Sequence, residues 1–408
     1  MTAATSPSTT RRRGSGATPV PAYLAGFMMI GLGLSIGGPA LSHLRERVGT
    51  DDGGIAWIFV GQSAGYILGS ALAGRGLDHG RGHRRWVMAM AVATGAIGLI
   101  AAAPNLLLLV LASALLGGAC GLCDVSGNTL VMWSRPQGPG ALLNALHLCF
   151  AIGAMVTPVI VNRSLHYADS VWGVALPMLA LTVICASLML SHRSPVRTRH
   201  ETVERSEATG ARGIHVGVVC AFFFAYVAME TGFVNWIHTY VERIGYGDAT
   251  TATGVTSMFG FGFFAGRVVA IPAARRFSPG VIVAVTTGMS VVAALLFVVF
   301  DGPGPMLWVV TAIFAVSVAP QYASMMAFAE SHLALSGRNT SAIVAASGFG
   351  GLVMPFAVGQ LFERIGPQAL PPTIVVLAVL TAVVGAYAGH LLLQAQRPPV
   401  TSMNAPVT

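Results

Sequence analysis

The chain has 408 residues, 54% of them hydrophobic and only 9% charged. Soluble domains carry roughly 25% charged residues, so this composition excludes a water-soluble enzyme and points to a polytopic membrane protein. The net charge of +8 comes from 23 basic residues, all arginine, against 15 acids; the arginines lie in short loops between apolar runs, which fits the positive-inside rule and not a nucleic-acid partner.

In chain order, residues 1–20 carry Arg11, Arg12 and Arg13 among Pro, Ser and Thr and read as a disordered cytoplasmic tail. The apolar run that follows is too long for the h-region of a signal peptide. Apolar runs fall at 21–44, 54–74, 86–103, 106–133, 141–163, 171–191, 214–241, 249–272, 279–300, 305–329, 339–362 and 370–394. At about 20 residues per span these are twelve transmembrane helices, giving an all-α membrane protein. Residues 21–191 make an N-terminal six-helix bundle, 192–213 a polar cytoplasmic linker, 214–395 a C-terminal six-helix bundle and 396–408 a second cytoplasmic tail. With both termini inside, 18 of the 23 arginines face the cytoplasm and five face out; the segment 267–276 supplies three of the inside ones, Arg267 included.

Five cysteines (Cys120, Cys123, Cys149, Cys185, Cys220) sit in apolar runs and read as buried thiols, with no second CxxC to complete a metal site. No phosphate-binding Gly-Lys loop, His-Glu metal helix or Gly-x-Ser-x-Gly element appears, so ATP-driven transport and hydrolytic chemistry have no basis and no cofactor is expected.

The two halves echo each other. Gly74-Arg75 closes the second run and Arg84-Arg85 opens the third, while Gly266-Arg267 closes the eighth and Arg275-Arg276 precedes the ninth. Paired basic loops at matching places are a mark of duplicated transporters. The stretch Gly74-Arg75-Gly76-Leu77-Asp78 resembles the loop signature of the major facilitator superfamily between helices two and three, although His79 takes a basic slot and one residue is inserted after it. That resemblance implies two six-helix bundles and a gating role for Gly74, Arg75, Asp78, Arg84, Arg85 and the equivalent Arg267.

Four segments narrow the resemblance to the fucose permease-like branch and its sodium-dependent glucose transporter-like members. They are Gly37-Gly38-Pro39-Ala40-Leu41, Asp124-Val125-Ser126-Gly127-Asn128, Ala145-Leu146-His147 with Phe150, Gly153 and Pro158, and the segment from Glu230 to Tyr240. The helix-one acid of fucose permease has no counterpart between Ala22 and Leu44, so its two-carboxylate relay does not carry over.

A charged side chain at the bilayer centre costs about 2.5–3.5 kcal/mol on insertion scales, so deep acids are functional candidates. Asp124 and Glu230 are the deep acids. Asp124, its helical neighbour Asn128, and Asn144 with His147 on the next run suggest a cluster of carboxylate, imidazole and amides. Asp124, His147 and Glu230 are the ion-coupling candidates. Asn128, Asn144, Asn235, Trp236, Gln321, Gln62 and Tyr66 are the substrate-binding candidates, with Trp236 offering a flat face for a sugar ring and Gly232 a place for its helix to bend.

These readings converge on a secondary active transporter, working by alternating access as a monomer in the cell inner (plasma) membrane. It would carry a small polar, sugar-like solute coupled to H⁺ or Na⁺. The competing transporter reading is a proton-driven exporter of amphipathic drugs or metabolites, with Trp236 and Phe222-Phe223-Phe224 in a greasy cavity. A membrane enzyme or sensor lacks the acid/base pairs it would need.

Overall fold

The computed structural model describes residues 19–50, 52–77, 80–135, 138–196, 209–246, 249–300, 304–333 and 335–394. Among them there is no strand. Without water in the hydrocarbon, each apolar run satisfies its own backbone as a helix. The first half comprises α1 (Val20–Leu34), α2 (Gly37–Val48), a short turn α3 (Asp52–Ile55), α4 (Trp57–Leu77), α5 (Gly82–Ala102), α6 (Leu106–Ser134), α7 (Gly140–Ala168) and α8 (Ala175–Leu190). The second half comprises α9 (Thr209–Val234), α10 (Ile237–Arg243), α11 (Ala249–Arg276), α12 (Pro279–Val299), α13 (Met306–Val318), α14 (Gln321–Leu333), α15 (Gly337–Arg364) and α16 (Leu370–Gln394). The pairs α1/α2, α9/α10 and α13/α14 each form one broken span, so every half crosses six times. Eleven of the twelve spans are long and apolar enough to cross a membrane; the twelfth is the 21-residue α4, diluted by Gln62, Ser63 and Tyr66.

Local chemistry sets the helix ends and breaks. Asn105 accepts from the Leu108 amide to start α6, and Ser278 accepts from the Val281 amide ahead of Pro279 at the start of α12. The α13/α14 break falls at Ala319-Pro320, where proline removes an amide donor. The seventh span breaks at Asn235-Trp236 and not at Gly232, which stays helical and packs on Met354.

Helices in lipid associate by close packing and not by hydrophobic burial. Gly65 and Gly69 of α4 lie on the carbonyls of Ala114 and Gly118 in α6, leaving no room for a Cβ. At one end of the first half, His83 Nδ1 donates to the carbonyls of Met189 and His192, both at 3.1 Å, and its Nε2 accepts from Tyr23 at 2.8 Å. This ties α1, α5 and the end of α8 together.

The two halves meet along α4 with α15 and α7 with α11. Two hydrogen bonds join them among the described residues: the Gly74 amide donates to Ser341 Oγ at 2.8 Å, and Trp133 Nε1 donates to the Leu335 carbonyl at 3.1 Å. Both lie at the end where α4, α6 and α11 finish and α5, α7 and α15 begin, which is also where Arg81, Arg84, Arg85, Arg135, Arg275, Arg276 and Arg338 gather. A Cβ on Gly74 would sit 2.6 Å from the Gly337 carbonyl oxygen, so glycine is what lets α4 and α15 touch backbone to backbone. The arginine-rich end is therefore closed.

Candidate functional site

A cavity of about 360 Å³ lies in the seam between the halves, inside the roughly 300–1,000 Å³ range of small-molecule sites. Its floor carries Asp124, His147, Arg267 and Tyr322. Its walls rise along Ile30 and Leu34 of α1, Phe59, Gln62, Ser63 and Tyr66 of α4, Phe150 of α7, Val227, Glu230 and Thr231 of α9, and Gly348 and Gly351 of α15. These wall residues lead away from the arginine-rich end. The cavity is sealed at that end and opens toward the other.

Asp124 is held by its own half. Asn128, one turn further along α6, donates its Nδ2 to Asp124 Oδ1 at 2.7 Å, and the Tyr66 hydroxyl of α4 donates to Oδ2. Each carboxylate oxygen thus takes one charge-assisted bond. Asn128 itself is fully buried behind Asp124 and does not reach the cavity, so it supports the carboxylate and is not a wall residue.

Asn144 is likewise buried, donating to the Gly140 carbonyl at 3.0 Å. His147 does face the cavity. Its ring packs 5.3 Å from Phe27 and 4.7 Å from Tyr322, and its Nε2 has no hydrogen-bond partner. It packs on aromatics and makes no bond to Asp124.

Glu230 faces the cavity from α9, with Tyr226 and Arg267 as its polar neighbours. Arg267 corrects the sequence reading. It is not in a basic loop: α11 runs on to Arg276, nine residues later, which sets Arg267 about 14 Å inside the helix end at 1.5 Å per residue. Asp124, ten residues before the end of α6, lies at nearly the same depth. Arg267 is 4% exposed, its guanidinium stacks 4.4 Å from the Phe263 ring centre, and Nε and Nη1 have no hydrogen-bond partner. Its charged neighbours are Glu230 and Asp124, one from each half.

Three other candidates lie off the cavity. Trp236 falls in the α9/α10 break, donates Nε1 to the Pro355 carbonyl at 2.9 Å and packs 4.7 Å from Phe362. The break turns its face against α15. Asn235 beside it is exposed. Gln321 is fully buried and donates to Ser290 Oγ at 2.7 Å and to the carbonyls of Thr286 and Ser317, bracing α12 against α13 and α14. Its neighbour Tyr322, about 100° around the helix, is the one that reaches the floor. Gln62 and Tyr66 are wall residues as expected. Gly74 stands at the closed crossing. Arg84 is exposed and Arg85 half-buried at the arginine-rich end. Asp78 and the side chain of Arg75 lie outside the described residues.

Sequence reasoning missed Arg267 as a floor residue, together with Tyr226 and Tyr322. The signal was present for Arg267: Val268-Val269-Ala270-Ile271 continues the apolar run beyond it.

Residues 23–355 match the family described as Major Facilitator Superfamily. Sodium-dependent glucose transporter 1 of Danio rerio is 26% identical over 387 residues, an alignment covering 84% of this chain and 64% of that protein. Sodium-dependent glucose transporter 1A of Mus musculus is 25% identical over 375 residues, covering 83% and 88%. Among solved structures, the major facilitator transporter FucP in its outward conformation superposes with a TM-score of 0.74 at 15% identity, covering 91% of this chain and 98% of FucP. The proton:xylose symporter XylE bound to 6-bromo-6-deoxy-D-glucose gives 0.73 at 11% identity, covering 92% and 95%. Twelve spans in two six-helix halves around a central cavity are the architecture those structures share, and with the family match over most of its length this chain belongs to the Major Facilitator Superfamily of multi-pass membrane transporters.

Proposed function

We propose that this transporter takes up a small polyhydroxylated, sugar-like solute together with H⁺ or Na⁺, with Asp124 as the coupling carboxylate. The observation that carries the reading is the cavity itself: a polar floor of Asp124 and Arg267 under walls that carry Gln62, Ser63, Glu230 and Thr231 together with Phe59 and Phe150. Hydroxyl groups find donors and acceptors there, and the apolar face of a sugar ring finds aromatics beside them. The relatives named for sodium-dependent glucose transport support the substrate class. Of the amides expected at the site only Gln62 lines the cavity, so what favours this reading over an exporter of amphipathic compounds is the charged set of Asp124, Glu230 and Arg267 together with the relatives.

The arginine-rich end is read as cytoplasmic, with both termini inside the plasma membrane. The cavity then faces outward, ready to load. Alternating access follows by rocking of the halves: the α4/α15 crossing opens while the outer walls close. Single cysteines at Arg81 and Arg275 should resist an impermeant thiol reagent applied outside intact cells; labelling of either from outside refutes this orientation.

The direct test is uptake of labelled D-glucose, D-xylose and L-fucose into proteoliposomes under imposed H⁺ or Na⁺ gradients. Accumulation of at least one sugar above its external concentration is expected. If none accumulates under either gradient, while an amphipathic cation is expelled under a proton gradient, the exporter reading replaces this one.

A further inference from the structure

The cavity lining holds an odd number of charges. Asp124 comes from α6, Glu230 from α9 and Arg267 from α11, and among the described residues no other carboxylate or guanidinium lines the cavity. A guanidinium is cationic at any accessible pH, so two ionised carboxylates beside it leave one negative charge in excess. The remaining titratable side chains there count as neutral: His147 packs between Phe27 and Tyr322 with Nε2 unbonded, and Tyr66, Tyr226 and Tyr322 present hydroxyls.

Arg267 is committed to neither acid. Only 4% of it is exposed, yet among the described residues it forms no ion pair, and its Nε and Nη1 make no hydrogen bond. Buried guanidinium donors are ordinarily satisfied. Here the charge shares the cavity with one carboxylate from each half and is held over the face of Phe263.

We propose that Arg267 is the shared counter-ion of Asp124 and Glu230, and that its single charge fixes coupling at one cation per solute. The inference rests on the reading above that transport is cation-coupled. While water fills the cavity, the excess negative charge is solvated. A bound solute displaces that water, and an uncompensated charge then becomes prohibitive as the halves close over it. One H⁺ or Na⁺ restores neutrality and allows closure. The empty, water-filled carrier returns without it.

The arithmetic can be altered residue by residue. With the membrane potential clamped at zero, a tenfold gradient of the driving cation should support about tenfold accumulation of the labelled sugar for one cation and about hundredfold for two. Wild type should reach about tenfold. Glu230→Gln makes the cavity neutral without a cation, so the sugar should only equilibrate. Arg267→Gln combined with Glu230→Gln restores a single excess negative charge, and accumulation should return to about tenfold. A merely structural arginine would not be rescued by neutralising Glu230.

Hundredfold accumulation by wild type, accumulation by Glu230→Gln, or loss that persists in a double variant still exchanging labelled for unlabelled sugar would each overturn the counter-ion role and leave cation coupling intact. If the double variant does not insert, Glu230→Gln decides alone. A wild-type protein that follows neither gradient overturns the coupling reading and this inference with it.

Discussion

The two carboxylates of the cavity are held in opposite ways. In the N-terminal half, Asp124 has both oxygens bonded, one by Tyr66 and one by Asn128. In the C-terminal half, Glu230 shares its surroundings with an arginine whose Nε and Nη1 lack partners. Such a contrast separates a preorganised acid from one whose cationic neighbour is still unpaired. A carboxylate fixed by two donors keeps its geometry as the halves rock, because both donors travel with its own half. The unsatisfied guanidinium has reason to move, because any partner it gains relieves a buried charge.

Neutralising the preorganised side should have the largest effect. Asp124→Asn keeps the size of the side chain and part of its hydrogen bonding but cannot take up a proton and holds a cation poorly. Gradient-driven accumulation should vanish, while exchange of labelled for unlabelled sugar persists, since exchange moves no net cation. Wild-type accumulation would remove Asp124 from coupling. Loss of exchange together with expression would instead make it a structural brace.

Next in size is a change at the closed end, where neither carboxylate takes part. Gly74→Val places atoms against the Gly337 carbonyl, which a Cβ alone would approach to 2.6 Å. The α4/α15 crossing then cannot close, and transport should fall by about tenfold or more, in line with the small-residue requirement of close helix packing in membranes. Binding from the outside should weaken as well, because the outward-open state is no longer favoured. A cysteine at Ser341 gives the readout: its reactivity from the arginine-rich side should rise in the Gly74→Val background. Unchanged reactivity would mean that the crossing is not the gate.

The fold was legible because lipid imposes its rules on the sequence. Every backbone group must be satisfied within its own helix, so twelve apolar runs announce twelve spans. Asp124 and Glu230 stood out for a related reason, since a deep charge is too expensive to keep without use. Arg267 is harder to place, because the apolar run stops at residue 272 and an arginine near a run's end reads as a loop charge. The helix in fact continues to Arg275-Arg276. Side-chain direction was the other blind spot. Gln321 and Tyr322 are adjacent in sequence, yet only the tyrosine faces the cavity. Trp236, six residues after Glu230, is turned away by a helix break that the sequence placed at Gly232 instead.

A smaller change sharpens how Asp124 is held. Tyr66→Phe removes the donor to Oδ2 and leaves the Asn128 bond to Oδ1 in place. A hydrogen bond to a charged group contributes about 1.5–3 kcal/mol, and that contribution competes with an incoming cation. Apparent cation affinity measured from the gradient dependence of uptake should therefore rise by about tenfold, the equivalent of roughly 1.4 kcal/mol. A fall in affinity would make the tyrosine hydroxyl a ligand of the cation and not its competitor.

The smallest effect on transport is expected at Trp236, which lies outside the cavity altogether. Its Nε1 bond to the Pro355 carbonyl fastens the α9/α10 break to the middle of α15. Trp236→Phe keeps an aromatic ring against Phe362 but loses that donor. The net loss should be about 1 kcal/mol of stability, visible as a lower melting temperature in detergent. Sugar affinity should stay within about twofold, because the ring contributes no surface to the binding cavity, whereas altering a ring that stacks on the sugar should shift affinity by more. If affinity falls by tenfold while stability holds, Trp236 stacks on the solute in a state where the α9/α10 break has turned inward, and the break itself becomes the moving part of the C-terminal half.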